Sequence, residues 1–111
     1  MLGSAAVLAG SKVSSHTPQS DLVTGQPLVV STWDFGQAAN AAAWEVLTKK
    51  GRAVDAVETG VKVAEADPKN QTVGYGGLPD RDGNVTLDAC IMDEFYNCGS
   101  VMALQHIKHP I

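Results

Sequence analysis

Apolar and polar positions along the chain switch period several times, and each switch marks an element. Pro27-Leu28-Val29-Val30-Ser31-Thr32-Trp33 is apolar and β-branched between Gly25 and Gly36, which predicts a strand with its proline at the first residue. Trp33 and Phe35 flank Asp34 at its end, where paired aromatics commonly plug a core. From Gln37 the pattern becomes helical. Ala41, Trp44, Leu47 and Thr48 share one face, which makes Trp44 the expected core anchor, and Lys49-Lys50-Gly51 supplies the stop. A second helix follows through Ala53-Ala56-Val57-Gly60 and Val54-Val57-Val61-Ala64, with Glu58 and Lys62 in the favourable order for an ion pair. It should end at Asp67-Pro68, because the residue before proline resists the α region. Two helices joined by so short a turn pack as an antiparallel pair.

The stretch Val73–Asp93, VGYGGLPDRDGNVTLDACIMD, is where the extended part of the chain should be organised. Gly74, Gly76 and Gly77 remove Cβ sterics where the backbone must bend or approach a neighbour closely. Asp82-Gly83 is a strong hairpin-turn signal. The run Val85 to Met92 is continuously apolar apart from Thr86 and Asp88, which predicts a strand covered on both faces. Asp88 and Asp93 then need hydrogen-bond partners, and capping of a local turn or amide is the simplest assignment. Glu94 to Ser100 reads as a loop, and Val101 to Leu104 as a third strand pairing back.

The resulting fold class is layered α/β (α+β), two helices packed on a partial sheet over residues 27–111. Such a sheet would have an open edge and an uncovered second face, so the chain is expected to be the N-terminal portion of something larger. Residues 1–26, with a short run of small apolar residues and then a Ser/Thr/Gln-rich segment, read as a signal-like remnant without its basic leader or as a disordered tail. The first reading leans towards export and the second towards a cytoplasmic protein.

Composition narrows the function classes. With 8 basic against 12 acidic side chains, the chain offers no electrostatic footprint for nucleic acid or an anionic membrane. It has no apolar run of bilayer length. Cys90 and Cys98 lack metal-ligand spacing, the three histidines do not cluster with them, and two free thiols are expected. No metal or other cofactor is expected.

PLVVSTWDFG, AAWEVLTKKGRAVDAVETG, VGYGGLPDRDGNVTLDACIMD and GSVMALQHIKHPI, in that order, resemble the start of the glycosylasparaginases (aspartylglucosaminidases), over roughly Pro27 to Ile111. The glycine-rich block and its LDACIMD strand are specific to the wider superfamily of asparaginases and isoaspartyl peptidases with an N-terminal threonine nucleophile. The plant-type asparaginases characteristically carry His-Gly-Gly-Ala-Gly where this chain has Ser31-Thr32-Trp33-Asp34-Phe35, and that difference favours glycosylasparaginase. The resemblance implies the N-terminal half of an αββα sandwich whose precursor cuts itself to expose a threonine. That threonine's α-amino group serves as its own base in hydrolysing the amide between N-acetylglucosamine and the asparagine side chain.

By the same resemblance, the nucleophile and the groups gripping the substrate's α-carboxylate and α-amino group belong to a second half, the β-subunit. Thr24, Thr32, Thr48, Thr59, Thr72 and Thr86 match no nucleophile motif, so no catalytic residue is expected in this chain. What the resemblance assigns here is substrate binding to Trp33, Phe35 and Thr72, and support near the site to Gly74, Gly76, Gly77, Asp88 and Asp93. The implied partners are the β-subunit half and a small glycosylated asparagine, with αβ units able to associate as a homo-oligomer. The alternatives are a plant-type L-asparaginase/isoaspartyl peptidase portion and a non-catalytic scaffold or interaction domain.

Overall fold

The computed structural model describes residues 25–111; the signal-like or tail segment lies almost wholly outside them. In chain order it contains α1 (Gly36–Thr48), α2 (Ala53–Ala66), a single 3₁₀ turn at Gly74–Gly76, β1 (Leu87–Met92) and β2 (Cys98–Leu104). This is an α+β arrangement, a helical hairpin and a two-stranded antiparallel sheet, with α2 the helix that meets β1.

α1 ends as its glycine and basic residues predict, with one displacement. Gly51 N–H reaches back to the Val46 carbonyl and Lys50 N–H to that of Leu47, a Schellman pattern in which Lys50, at φ 61°, takes the left-handed position. Gly51 stands one residue later, and a Cβ there would sit 2.5 Å from Val46 Cγ1. α2 begins after Arg52 and ends before Asp67-Pro68, as expected. Glu58 and Lys62 form the i,i+4 ion pair on its surface.

Close approach, not bulk, holds the two helices together. Besides Gly36 at the start of α1 and Glu65 near the end of α2, the buried positions are Ala43 on α1 and Ala56, Gly60 and Ala64 on α2. A Cβ on Gly60 would stand 2.7 Å from the Ala39 carbonyl oxygen and 3.2 Å from Ala43 Cβ, so the helices meet where side chains are smallest. This corrects the expectation for Trp44, which remains 43% exposed. α1 turns its Ala39–Ala43 side towards α2, and the larger residues flank the seam.

Two strand expectations are also corrected. Pro27–Trp33 forms no strand: it runs without ladder partners beside the helix pair, where Pro27 to Ser31 line an apolar cleft with Ala43, Leu47, Ala56 and Val57. β-Branched composition makes a segment fit a pleated surface, but a strand also needs a neighbour with free ladder groups. The sheet among the described residues consists of β1 and β2 alone.

β1, in turn, is not covered on both faces. Leu87, Ala89 and Ile91 are half-buried while Asp88, Cys90 and Met92 are exposed, the alternation of a sheet packed on one side. The turn at Asp82-Gly83 forms, with Gly83 at φ 87°, but no strand precedes it. The hairpin is the later one, joining β1 to β2 with Cys90 opposite Ser100 and Met92 opposite Cys98.

Candidate functional site

Trp33 lies in the turn that feeds α1. Its carbonyl accepts the Gly36 N–H at 2.8 Å, Asp34 likewise accepts from Gln37, and the indole is left 69% exposed. Phe35 occupies the residue before the helix in a helical conformation and offers no side-chain cap. Two aromatic rings are therefore presented at the N-terminal end of α1 instead of being folded into a core.

Thr72 stands in the loop between α2 and the 3₁₀ turn. Its backbone N–H donates to Asn70 Oδ1 at 3.1 Å and its hydroxyl to the same oxygen at 2.6 Å. Asn70 is buried. The glycines that follow are fixed by close approach to the end of α2. Gly74, at φ 60°, rests on the Glu65 backbone, and a Cβ on Gly76 would stand 2.8 Å from the Pro68 carbonyl oxygen. Gly77 is less constrained: a Cβ there would meet Val85 Cγ1 at 3.1 Å and the Gly74 carbonyl oxygen at 3.2 Å.

Glu65 anchors the same region from below. Almost fully buried, it accepts the Ile111 N–H at 3.2 Å, and its other oxygen lies 3.4 Å from His109 Nδ1. The segment His109–Ile111 is thereby pinned to the last turn of α2.

Asp88 and Asp93 both satisfy backbone groups. β2 carries one extra residue opposite the Leu87/Ala89 step, and the bulge leaves Ala103 at φ 56°. Asp88 Oδ1 accepts the Ala103 N–H at 2.8 Å. Asp93 closes the β1–β2 loop: Oδ1 accepts from Phe95 N–H at 2.8 Å and Asn97 N–H at 2.9 Å, and Oδ2 from Asn97 Nδ2. Asp80 plays the same part at the earlier turn, accepting from Asp82 and Asn84 N–H. The two five-residue loops, Asp80–Asn84 and Asp93–Asn97, share this pattern, and where the first has Gly83 the second has Tyr96 at φ 66°.

Two groups outside the sequence expectation join the helices to the β1–β2 loop. Arg52, between α1 and α2, grips Glu94 through both carboxylate oxygens at 3.1 Å and lies 3.9 Å from Asp93 Oδ2. Hydrogen bonding from Arg52 lowers the Glu94 pKa, and the Asn97 side-chain amide, followed by the backbone N–H groups, lowers that of Asp93. A depressed folded-state pKa contributes stability above the ordinary carboxylate range that is lost as pH falls through the folded value. Amide protection of Phe95 and Asn97 is therefore expected to hold from neutrality down through the ordinary carboxylate range and to fall only at more acid pH, as Asp93 protonates. Hydrogen exchange across an acid series measures it, and Asp93→Ala should show the low protection at every pH.

Trp33 and Phe35 thus share one turn, and Thr72 and the glycines share one loop. Among the described residues no hydrogen bond joins these two groups. Also among them, no set of three or more His, Cys, Asp or Glu is gathered to hold a metal ion, and Cys90 and Cys98 are free and exposed. Sequence reasoning missed Asn70, Glu65 and Arg52. Only Asn70 carried a local signal, a carboxamide two residues before a hydroxyl, the spacing of a side-chain turn.

Comparison with known proteins gives the family. The family model described as Asparaginase matches residues 6–111. An N(4)-(β-N-acetylglucosaminyl)-L-asparaginase of Elizabethkingia miricola is 64% identical over 88 residues, covering 79% of this chain and 26% of the relative. The mouse protein of that name is 49% identical over 77% of this chain and 25% of its own length. A probable isoaspartyl peptidase/L-asparaginase of Arabidopsis thaliana is 40% identical over 77% of this chain and 24% of its own length. The chain spans about a quarter of the length of these curated relatives. With a family match running from residue 6 to residue 111, the chain belongs to the asparaginase family.

Proposed function

We propose that residues 27–111 form the N-terminal portion of an amidohydrolase that cleaves the amide between N-acetylglucosamine and the asparagine side chain. The observation that carries this reading is the 64% identity to a relative named for that activity, across the stretch that holds Trp33, Phe35 and Thr72. The exposed indole and phenyl at the start of α1 supply apolar wall, and the Thr72 hydroxyl supplies a fixed polar contact. A companion half, the β-subunit, contributes an N-terminal threonine whose α-amino group activates its own hydroxyl, the acyl-enzyme chemistry of such nucleophiles. αβ units assemble further as homo-oligomers.

The Arabidopsis relative keeps a second reading in view, hydrolysis of unglycosylated asparagine or of β-aspartyl peptides. The Trp33-Asp34-Phe35 turn, in place of a His-Gly-Gly-Ala-Gly run, favours the glycosylated substrate. Aspartate release by the complete protein from glycosylated asparagine, from asparagine and from a β-aspartyl dipeptide separates the readings. Preference for the first by at least tenfold in kcat/KM is expected, and preference for either of the others overturns the proposal. The 111-residue chain alone should neither cut itself nor release aspartate. Turnover by it above a heat-killed control would mean that the nucleophile lies within these residues.

A further inference from the structure

We infer that Asn70 is a positioning residue that fixes the Thr72 hydroxyl as a pure hydrogen-bond acceptor towards the site. The inference rests on the reading of Thr72 as a substrate-side residue. A backbone N–H can only donate, so the Asn70 side-chain atom 3.1 Å from Thr72 N must be the carbonyl oxygen, which fixes the orientation of the carboxamide. That same oxygen lies 2.6 Å from Thr72 Oγ1. A carbonyl oxygen cannot donate, so the hydroxyl proton is committed to Asn70 and the hydroxyl lone pairs are left facing outward. Left to rotate, a threonine hydroxyl could meet a ligand as donor or acceptor. Held this way, it selects an N–H or O–H donor.

Burial gives the arrangement its rigidity. Asn70 is 7% exposed while Thr72 is exposed, so the fixed partner lies inside and the free lone pairs lie outside. Asn70 Nδ2 is buried without a partner among the described residues. An uncompensated buried donor is costly, and a residue chosen for stability alone would not leave it. The loop that carries the pair is braced by the close approach of Gly74 and Gly76 to backbone of Glu65, Pro68 and Asn70.

A double-mutant cycle in the complete protein tests the inference. Asn70→Leu removes the oxygen at nearly constant volume, Thr72→Val removes the hydroxyl, and kcat/KM for glycosylated asparagine is read with the melting temperature. Each single variant should lose at least tenfold in kcat/KM. If Asn70 acts through the hydroxyl, the double variant should lose no more than Thr72→Val alone. Asn70→Asp, which keeps the acceptor oxygens, should retain activity within about fivefold, and it also serves if the leucine variant fails to fold. Multiplicative losses, or an aspartate variant as damaged as leucine, overturn the inference while the functional reading stands. A folded wild type that releases no aspartate overturns the functional reading instead, and this inference with it.

Discussion

Gly74→Ala is expected to destabilise the complete protein by roughly 2–5 kcal/mol, because two independent costs fall on one methyl group. Gly74 sits at φ 60°, and the left-handed region costs a residue bearing Cβ roughly 1–2 kcal/mol. The new Cβ would also overlap the Glu65 backbone, with the carbonyl carbon at 2.6 Å and the oxygen and Cα closer still. Backbone inside a helix cannot swing aside as a side-chain tip does, and forced overpacking costs roughly a further 1–3 kcal/mol. Against a total stability of about 5–15 kcal/mol, the sum removes a large fraction of it. Gly83→Ala isolates the first cost. Gly83 has φ 87° but nothing within 4 Å of a Cβ, so its loss should stay near roughly 1–2 kcal/mol. Urea denaturation of both variants measures the difference. Equal midpoints would mean that the close contact with Glu65 relaxes without cost.

The contrast between these two glycines shows how far local pattern reaches. The Asp82-Gly83 turn was legible because its requirement is local, a positive φ following an aspartate. Both helices were legible for the same reason, their ends written in Gly51 and Asp67-Pro68. Which face of each helix is buried was only half legible. Val54, Val57 and Val61 mark a broad apolar face on α2, yet the seam runs through Ala56, Gly60 and Ala64, and Trp44 is left beside it. Periodicity weighs residues by hydrophobicity, whereas close helix approach selects for small size.

The strand at Pro27–Trp33 failed because pairing is not local. The segment has the composition of a strand, but no neighbour among the described residues offers it a ladder. Trp33, Phe35 and Thr72 were named for the site through family resemblance alone, and the groups that hold them in place were not named at all. Asn70 looks like any loop asparagine until its burial and its two contacts to Thr72 are seen. Arg52 looks like a solvated charge in a helix connection, and its partner Glu94 lies far along the chain.

Trp33→Ala in the complete protein should lower kcat/KM for glycosylated asparagine on the order of tenfold to a hundredfold, while the melting temperature moves little. The split follows from where the residue sits. At 69% exposure its indole contributes little to the packing of these residues, and substitutions at such positions usually change stability within about 0.5 kcal/mol. The backbone of the turn does not depend on the side chain, since Trp33 contributes its carbonyl to Gly36 and alanine would do the same. On the proposed reading, what alanine removes is a rigid apolar wall at the start of α1. Loosening a substrate by an ångström is expensive in rate even when the fold is intact. Trp44→Ala is the matched control. It deletes the same side chain at 43% exposure beside the helix seam, so it should lower stability measurably and leave kcat/KM of the folded protein unchanged. Thermal melts and steady-state kinetics on both variants decide the matter. A Trp33 variant that melts early with normal kcat/KM would put the indole in the core of the complete protein and take the pocket wall away from this turn.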